Sequence, residues 1–492
     1  MNFFNPKAFA LALTFAGAVN AQTIVTADIT ANTTWTPAGN PYILDGYVFV
    51  RDGATLTIQP GVVVRGLDNN AANNILPGGQ NLGAISNVEE RVGALIVSRT
   101  GFINAQGTAA QPIIFTAVKD DLNSTTDLTC DSIGLWGGLI VLGEATVSSP
   151  AANFNGSFVE NTIEGIVTLN PTTALLSKFG GTNDNDNSGI LRYISIRHGG
   201  DILSDNNEVN GLTLGGVGRG TIIEFVEVLA NADDGIEYFG GTVDTKYAVV
   251  TCADDDGFDY DQGFRGRGQF WIAISVGKGN RLGEWDGGDL PATATPFSTP
   301  VIFNLTFIGK PATFGTENQI TEIRDNAGGN VKNSVFFRSP FGQRIEYRHD
   351  IISSYLNFST NISGLPVGTI QALDLSNNTY SNITGNAIRL NEVATGFTGA
   401  TQQVRSVSNA NTTLTRLSTG VVGNNVVVAN VLTVNGSSFD LRPVGAGTVL
   451  ANEPAGGFFD NVSFAGAVDP ASPTGAGWLA GWTATAAYGI VQ

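Results

Sequence analysis

Short apolar runs, rarely longer than five residues, alternate along this chain with turns rich in Gly, Asp and Pro. The stretch Asp45-Gly-Tyr-Val-Phe-Val-Arg-Asp-Gly-Ala-Thr-Leu-Thr-Ile-Gln-Pro-Gly-Val-Val-Val-Arg65 reads as three strands separated by Asp-Gly and Pro-Gly turns. Glycine takes positive φ there without steric cost. Leu56 and Ile58 lie two apart and face one side, whereas Thr55 and Thr57 face the other. Ala94-Leu-Ile-Val97, Pro112-Ile-Ile-Phe115 and Gly134-Leu-Trp-Gly-Gly-Leu-Ile-Val-Leu-Gly143 repeat the style, and helical periodicity is scarce before residue 390. The pattern predicts an all-β fold.

A repeat narrows the architecture. Shifting the chain by 22 residues lays Asp234-Gly-Ile-Glu-Tyr238 on Asp256-Gly-Phe-Asp-Tyr260, and Phe225-Val-Glu-Val228 on Tyr247-Ala-Val-Val250. Downstream, Glu284-Trp-Asp-Gly-Gly288 matches Glu237-Tyr-Phe-Gly-Gly241. The aromatics Tyr193, Phe225, Tyr247 and Phe270 recur at intervals of 32, 22 and 23 residues. A near-constant period with insertions at the corners is what a three-sided coil of short parallel strands requires. Equivalent residues then stack about 4.8 Å apart. The expectation is a right-handed parallel β-helix in which those four aromatics form an internal ladder and Glu237, Asp259 and Glu284 stack outside.

The coil is expected over residues 22–440, with insertions near 69–92, 153–188 and 365–426 and final rungs plus a C-terminal cap over 441–492. Thr398 to Thr413 reads as a short helix or a surface excursion. Trp478 and Trp482 are expected in the cap, since an open solenoid end exposes backbone and core. At the other end, Lys7, the apolar run Ala8 to Val19 and the small residues of Val19-Asn-Ala21 predict a signal peptide over 1–21, removed before Gln22. The run is too short to span a bilayer. The protein is therefore expected outside the cell or on its surface, the periplasm being the weaker alternative.

The chain also resembles a family of exported bacterial β-helix proteins of the cell envelope with a pectate-lyase-like fold. The resemblance is carried by Asp52-Gly-Ala-Thr-Leu-Thr-Ile-Gln-Pro-Gly61, Gly134-Leu-Trp-Gly-Gly138, Arg192-Tyr-Ile-Ser-Ile-Arg-His-Gly-Gly200, Asn231-Ala-Asp-Asp-Gly-Ile-Glu-Tyr-Phe-Gly-Gly241, Phe458-Phe-Asp-Asn-Val-Ser-Phe-Ala-Gly-Ala467 and Trp478-Leu-Ala-Gly-Trp482. It implies a right-handed β-helix at the cell envelope and no particular activity.

Composition then limits the partners. Charged residues make up 14% of the chain and the formal charge is −18. Such a surface repels nucleic acid and attracts divalent cations. Cys130 and Cys252 allow one disulfide after export, or Cys252 is a buried free thiol within an apolar strand.

The chemistry concentrates in acidic turns. Asp233, Asp234, Asp254, Asp255 and Asp256 precede equivalent strands, and Glu237, Asp259, Asp261 and Glu284 stand along them. Two carboxylates one rung apart repel by about 0.9 kcal/mol in water and roughly 3–4 kcal/mol at an effective dielectric near 20. Calcium, with 6–8 oxygen ligands, would relieve such a stack, and these nine residues are the candidate ligands. The alternatives are a solvated acidic face with Asp capping turns, or a catalytic set of Asp234, Asp256, Arg265 and Arg267 in a polysaccharide lyase or glycoside hydrolase. Arg265 and Arg267 read more simply as charge compensation. His198 and His349 are lone histidines, and no zinc set, triad, phosphate loop or dinucleotide motif is present. Two function classes follow: a non-enzymatic surface or secreted scaffold with a structural, adhesive or glycan-binding role and cell-envelope or glycan partners, and a polysaccharide-active enzyme.

Overall fold

A computed structural model describes all residues except 1–21, 87–91, 149–152, 165, 167–170, 201, 205–206, 278, 289–293, 312–318, 349–372, 394–402, 407–423, 446–449 and 455–456. The segment expected as signal peptide and His349 therefore lie outside the described residues. No described helix is long and apolar enough to cross a membrane.

Three columns of short parallel strands wind into a β-helix. One rung runs through Ile236–Phe239 on the first sheet and then Asp244–Thr251, which turns a corner from the second sheet to the third. Phe258–Asp261 then returns to the first. Ile236 pairs with Phe258 and Tyr238 with Tyr260, reproducing the 22-residue shift as backbone register. The interior is apolar and aromatic. Ile236, Tyr238, Phe258, Tyr260, Trp271 and Trp285 share one core that also holds Leu56, Leu95 and Leu139. Tyr260 stacks on Trp285 at 5.6 Å and Phe258 on Trp271 at 4.7 Å between ring centroids.

Tyr193, Phe225, Tyr247 and Phe270 do stack, at 4.5, 4.4 and 4.8 Å, but on the outside. Each sits at the second-to-third-sheet corner with φ between 51° and 59°. A left-handed residue breaks strict alternation, so Arg192 and Tyr193 both lie off the core that their neighbours Leu191 and Ile194 enter. That conformation costs a non-glycine residue about 1–2 kcal/mol, and each stacked ring pair returns about 0.5–1.5 kcal/mol. Further along, Asn304, Asn333, Asn377 and Asn424 occupy the same corner, also at positive φ. Asparagine tolerates that conformation better than most residues.

The C-terminal tail corrects a second expectation. The last rung strand is Val426–Val428, after which Thr433–Asn435 and Ser438–Asp440 form an antiparallel hairpin rather than another rung. The described tail lies along the flank of the coil. Phe439, Ala465, Val468 and Leu479 pack with Val249, Phe270, Ile272 and Phe337. Trp478 meets the rings of Phe225 and Tyr247 edge-on, and Trp482 those of Tyr193 and Phe225. Glu227, fully buried, accepts the Ala484 and Thr485 N–H groups at 2.8 and 2.7 Å.

Of the insertions, the segment 153–188 covers the outer face of the first sheet, where Ile163 and Phe179 pack with Phe49, Ile96 and Ile140. Residues 69–92 include Asn74 and Ile85, both buried; Ile85 packs with Ile43 and Leu67. Residues 365–426 are not one insertion, because Thr379–Ile383 and Ile388–Val393 continue the rungs. Within 398–413, Gln403–Ser406 is a strand antiparallel to Ile388–Val393, and the remainder lies outside the described residues. Cys130 and Cys252 form a disulfide with Cα atoms 5.4 Å apart.

Candidate functional site

The outer face of the first sheet changes chemistry along the axis. Register aligns Phe49, Ile96, Ile140, Thr213, Glu237, Asp259, Glu284, Glu322 and Arg344 in one column. The column is apolar under the insertion, then acidic, then basic. Alternation produces this arrangement: Ile236 and Tyr238 enter the core, so Glu237 between them faces out.

A second column stands at the preceding corner. Asp256 N–H donates to Asp234 Oδ1 at 2.8 Å, and Arg281 N–H donates to Asp256 Oδ1 at 2.5 Å. Each aspartate thus caps the next rung's turn. Asn210 begins this column and donates to Glu237 Oε2.

Together the columns make three overlapping carboxylate triads: Asp233, Asp234 and Asp255; Asp234, Glu237 and Asp259; and Asp256, Asp259 and Glu284. Within each, one oxygen per residue lies within 4.8 Å of the others. Of the nine candidate ligands, Asp254 and Asp261 enter no triad. Asp254 is exposed, and its N–H donates to Asn231 O. Asp261 receives the N–H groups of Gly240 and Phe264 on its backbone oxygen.

Burial first, and neighbouring carboxylates second, push Asp234, Glu237, Asp256 and Asp259 well above the usual carboxylate range. For Asp234 the chief neighbours are Asp233 and Asp256, and for Glu237 they are Glu164 and Asp234. Burial also raises Asp255, and it brings Asp286 up to about 7 despite Arg324.

Arginines that the repeat did not single out divide this cluster. Arg281 reaches Asp256 at 3.4 Å, Glu284 at 2.9 Å and Glu322 at 2.7 Å. Arg324 pairs with Glu284 at 2.6 Å and Asp286 at 2.8 Å, and Arg344 pairs with Glu322. No described arginine forms an ion pair with the triad of Asp234, Glu237 and Asp259, although Arg324 is near enough to feel the charge of Asp259. Asp259 Oδ1 is moreover buried with no hydrogen-bond partner among the described residues. Two oxygens held at about 2.4 Å by one calcium ion are at most about 4.8 Å apart, so this triad fits a calcium ion by spacing, charge and an available oxygen.

The catalytic alternative is not assembled. Asp234 and Asp256 are adjacent, but Arg265 pairs with Asp184 at 3.0 Å, and Arg267 pairs with Asp244. Both are charge compensation, as the simpler reading has it, though for Asp184 and Asp244 rather than for the acidic turn.

A family model described as a pectate-lyase-like beta helix domain matches residues 27–426. No curated protein and no solved structure matches the chain.

Proposed function

This chain belongs to the pectate-lyase-like β-helix family, and from that premise we propose that it is a non-enzymatic exported scaffold, secreted or held at the cell surface, whose rungs are stiffened by calcium. Its role is structural, adhesive or glycan-binding, with extracellular glycan or cell-envelope components as partners. The observation that carries this reading is the distribution of carboxylates as a ladder along the axis. Hydrolysis or lyase chemistry instead needs acid and base groups converged on one reacting bond, and both arginines proposed for that role are committed to other carboxylates. Asp234, Glu237 and Asp259 would hold the ion, with Asp233 and Asp255 adjoining. The ion would supply the positive charge that Arg281 and Arg324 supply to the neighbouring carboxylates Asp256 and Glu284. Export is supported by the N-terminal segment and by the Cys130–Cys252 disulfide, a bond that persists in oxidising compartments.

Thermal unfolding with calcium and with chelator, beside a screen of acidic and neutral polysaccharides, tests the proposal. A calcium-dependent rise in Tm without sugar release is expected. No rise removes the metal, and release of unsaturated or reducing sugar removes the non-enzymatic reading.

A further inference from the structure

On the far side of the molecule a cavity of about 470 Å³ lies between the coil and its tail. Ile114, Leu122 and Arg197 line it from the coil and the loop after Ala117, and Trp482, Tyr488 and Val491 line it from the tail. Its volume falls in the range of small-molecule sites. Arg197 is the one lining side chain with a formal charge, and it is 9% exposed. Its guanidinium makes one hydrogen bond among the described residues, from Nε to Ser195 Oγ at 2.8 Å. No described carboxylate stands within ion-pair distance of it. Glu227, which shares Ser195 with it, already accepts three bonds, from Ser195 Oγ and from the Ala484 and Thr485 N–H groups. The Tyr488 hydroxyl is also buried without a partner among the described residues.

Arg197 therefore presents guanidinium donors without a described protein acceptor at the wall of the cavity, where an anion can complete them. A planar carboxylate does so with two parallel N–H bonds. The walls decide the rest of the ligand, because apolar side chains gain from covering a body that is itself apolar. We infer that this cavity binds a small carboxylic acid with an apolar body, its carboxylate on Arg197 and its body against Leu122 and Trp482. The inference is independent of the carboxylate ladder and of calcium.

Calorimetric titration of the full chain, disulfide intact, with benzoate and with neutral benzamide tests it. Benzoate binds saturably at one site, and benzamide binds about tenfold or more weakly. Arg197→Gln removes that preference. Ala480→Trp, at an exposed lining position, fills the cavity and abolishes benzoate binding without touching Arg197, with folding checked by circular dichroism. It decides the matter should Arg197→Gln fail to fold. No benzoate binding, equal binding of benzamide, or undiminished benzoate binding by the folded Ala480→Trp variant overturns the inference.

Discussion

Glu227 Oε1 accepts the backbone N–H of Thr485 at 2.7 Å, joining residues 258 apart in sequence. The other oxygen takes the N–H of Ala484 at 2.8 Å and the Ser195 hydroxyl at 2.5 Å. One buried carboxylate therefore fastens the tail to the third sheet. Glu227→Ala leaves two amide donors without their partner, and hydrogen bonds to charged groups contribute about 1.5–3 kcal/mol each. A loss of about 3 kcal/mol by urea denaturation is expected, with faster proteolysis of the region after residue 470. An unchanged cleavage pattern would count against the anchor.

The carboxylate triad gives a prediction in which the sign depends on the metal. In chelator, Asp259→Asn removes a carboxyl whose charged form is disfavoured by burial first and by Asp234 and Glu237 next, and stability rises by about 1–3 kcal/mol. With calcium at 100 times its Kd the parent gains about 2.7 kcal/mol, and the variant gains much less. Differential scanning calorimetry in both buffers reads this reversal. Equal calcium shifts in parent and variant would show that the ion binds elsewhere.

Acidification loads His198. Its ring is buried, Nδ1 lies 2.7 Å from Ser132 O, and Nε2 has no partner among the described residues. Burial lowers its pKa below 6.5. Between that lowered value and 6.5 the unfolded chain binds the proton and the folded chain does not, so this contribution to stability is lost as pH falls below about 6.5, by at most about 1.4 kcal/mol per pH unit. Asp234, Glu237, Asp256 and Asp259 act in the opposite sense, because their raised values favour the protonated folded state. The difference between parent and His198→Asn isolates the histidine. Asparagine suits the φ of 59° there. Urea midpoints at pH 7 and pH 5 should show a smaller loss in the variant; identical losses would refute the assignment.

The disulfide closes a loop of 122 residues. On the chain-entropy model a closure of that length contributes about 4–5 kcal/mol. Replacing both Cys130 and Cys252 by Ser should lower stability by up to that amount, and a reductant should destabilise the parent but not the variant. A parent insensitive to reductant would mean that the bond is not formed in solution.

The rungs were legible in the sequence because a period of 22 and strict alternation translate directly into register, as the pairing of Glu237 with Asp259 shows. The side on which Tyr193, Phe225, Tyr247 and Phe270 stack was not. A left-handed corner places two successive residues off the core, and alternation carries no sign of that break. Recurring aromatics are as compatible with an outer stack as with an inner one. Arg281 was hidden for a related reason. It holds the place of Asp234 and Asp256 in its column, but 25 residues on instead of 22 and with opposite charge. The tail's flank position was signalled by Glu227, a carboxylate between Val226 and Val228 in the strand Ile222–Leu229. A repeat describes contacts between neighbouring rungs and says nothing about a segment that lies across many of them.

The outward column of the first sheet has a further consequence. From Glu237 to Arg344 it climbs four rungs, about 19 Å at the spacing of parallel strands, and passes from carboxylates to a guanidinium. Sequence position is height in such a coil, so this sign change acts as an electrical polarity directed along the long axis.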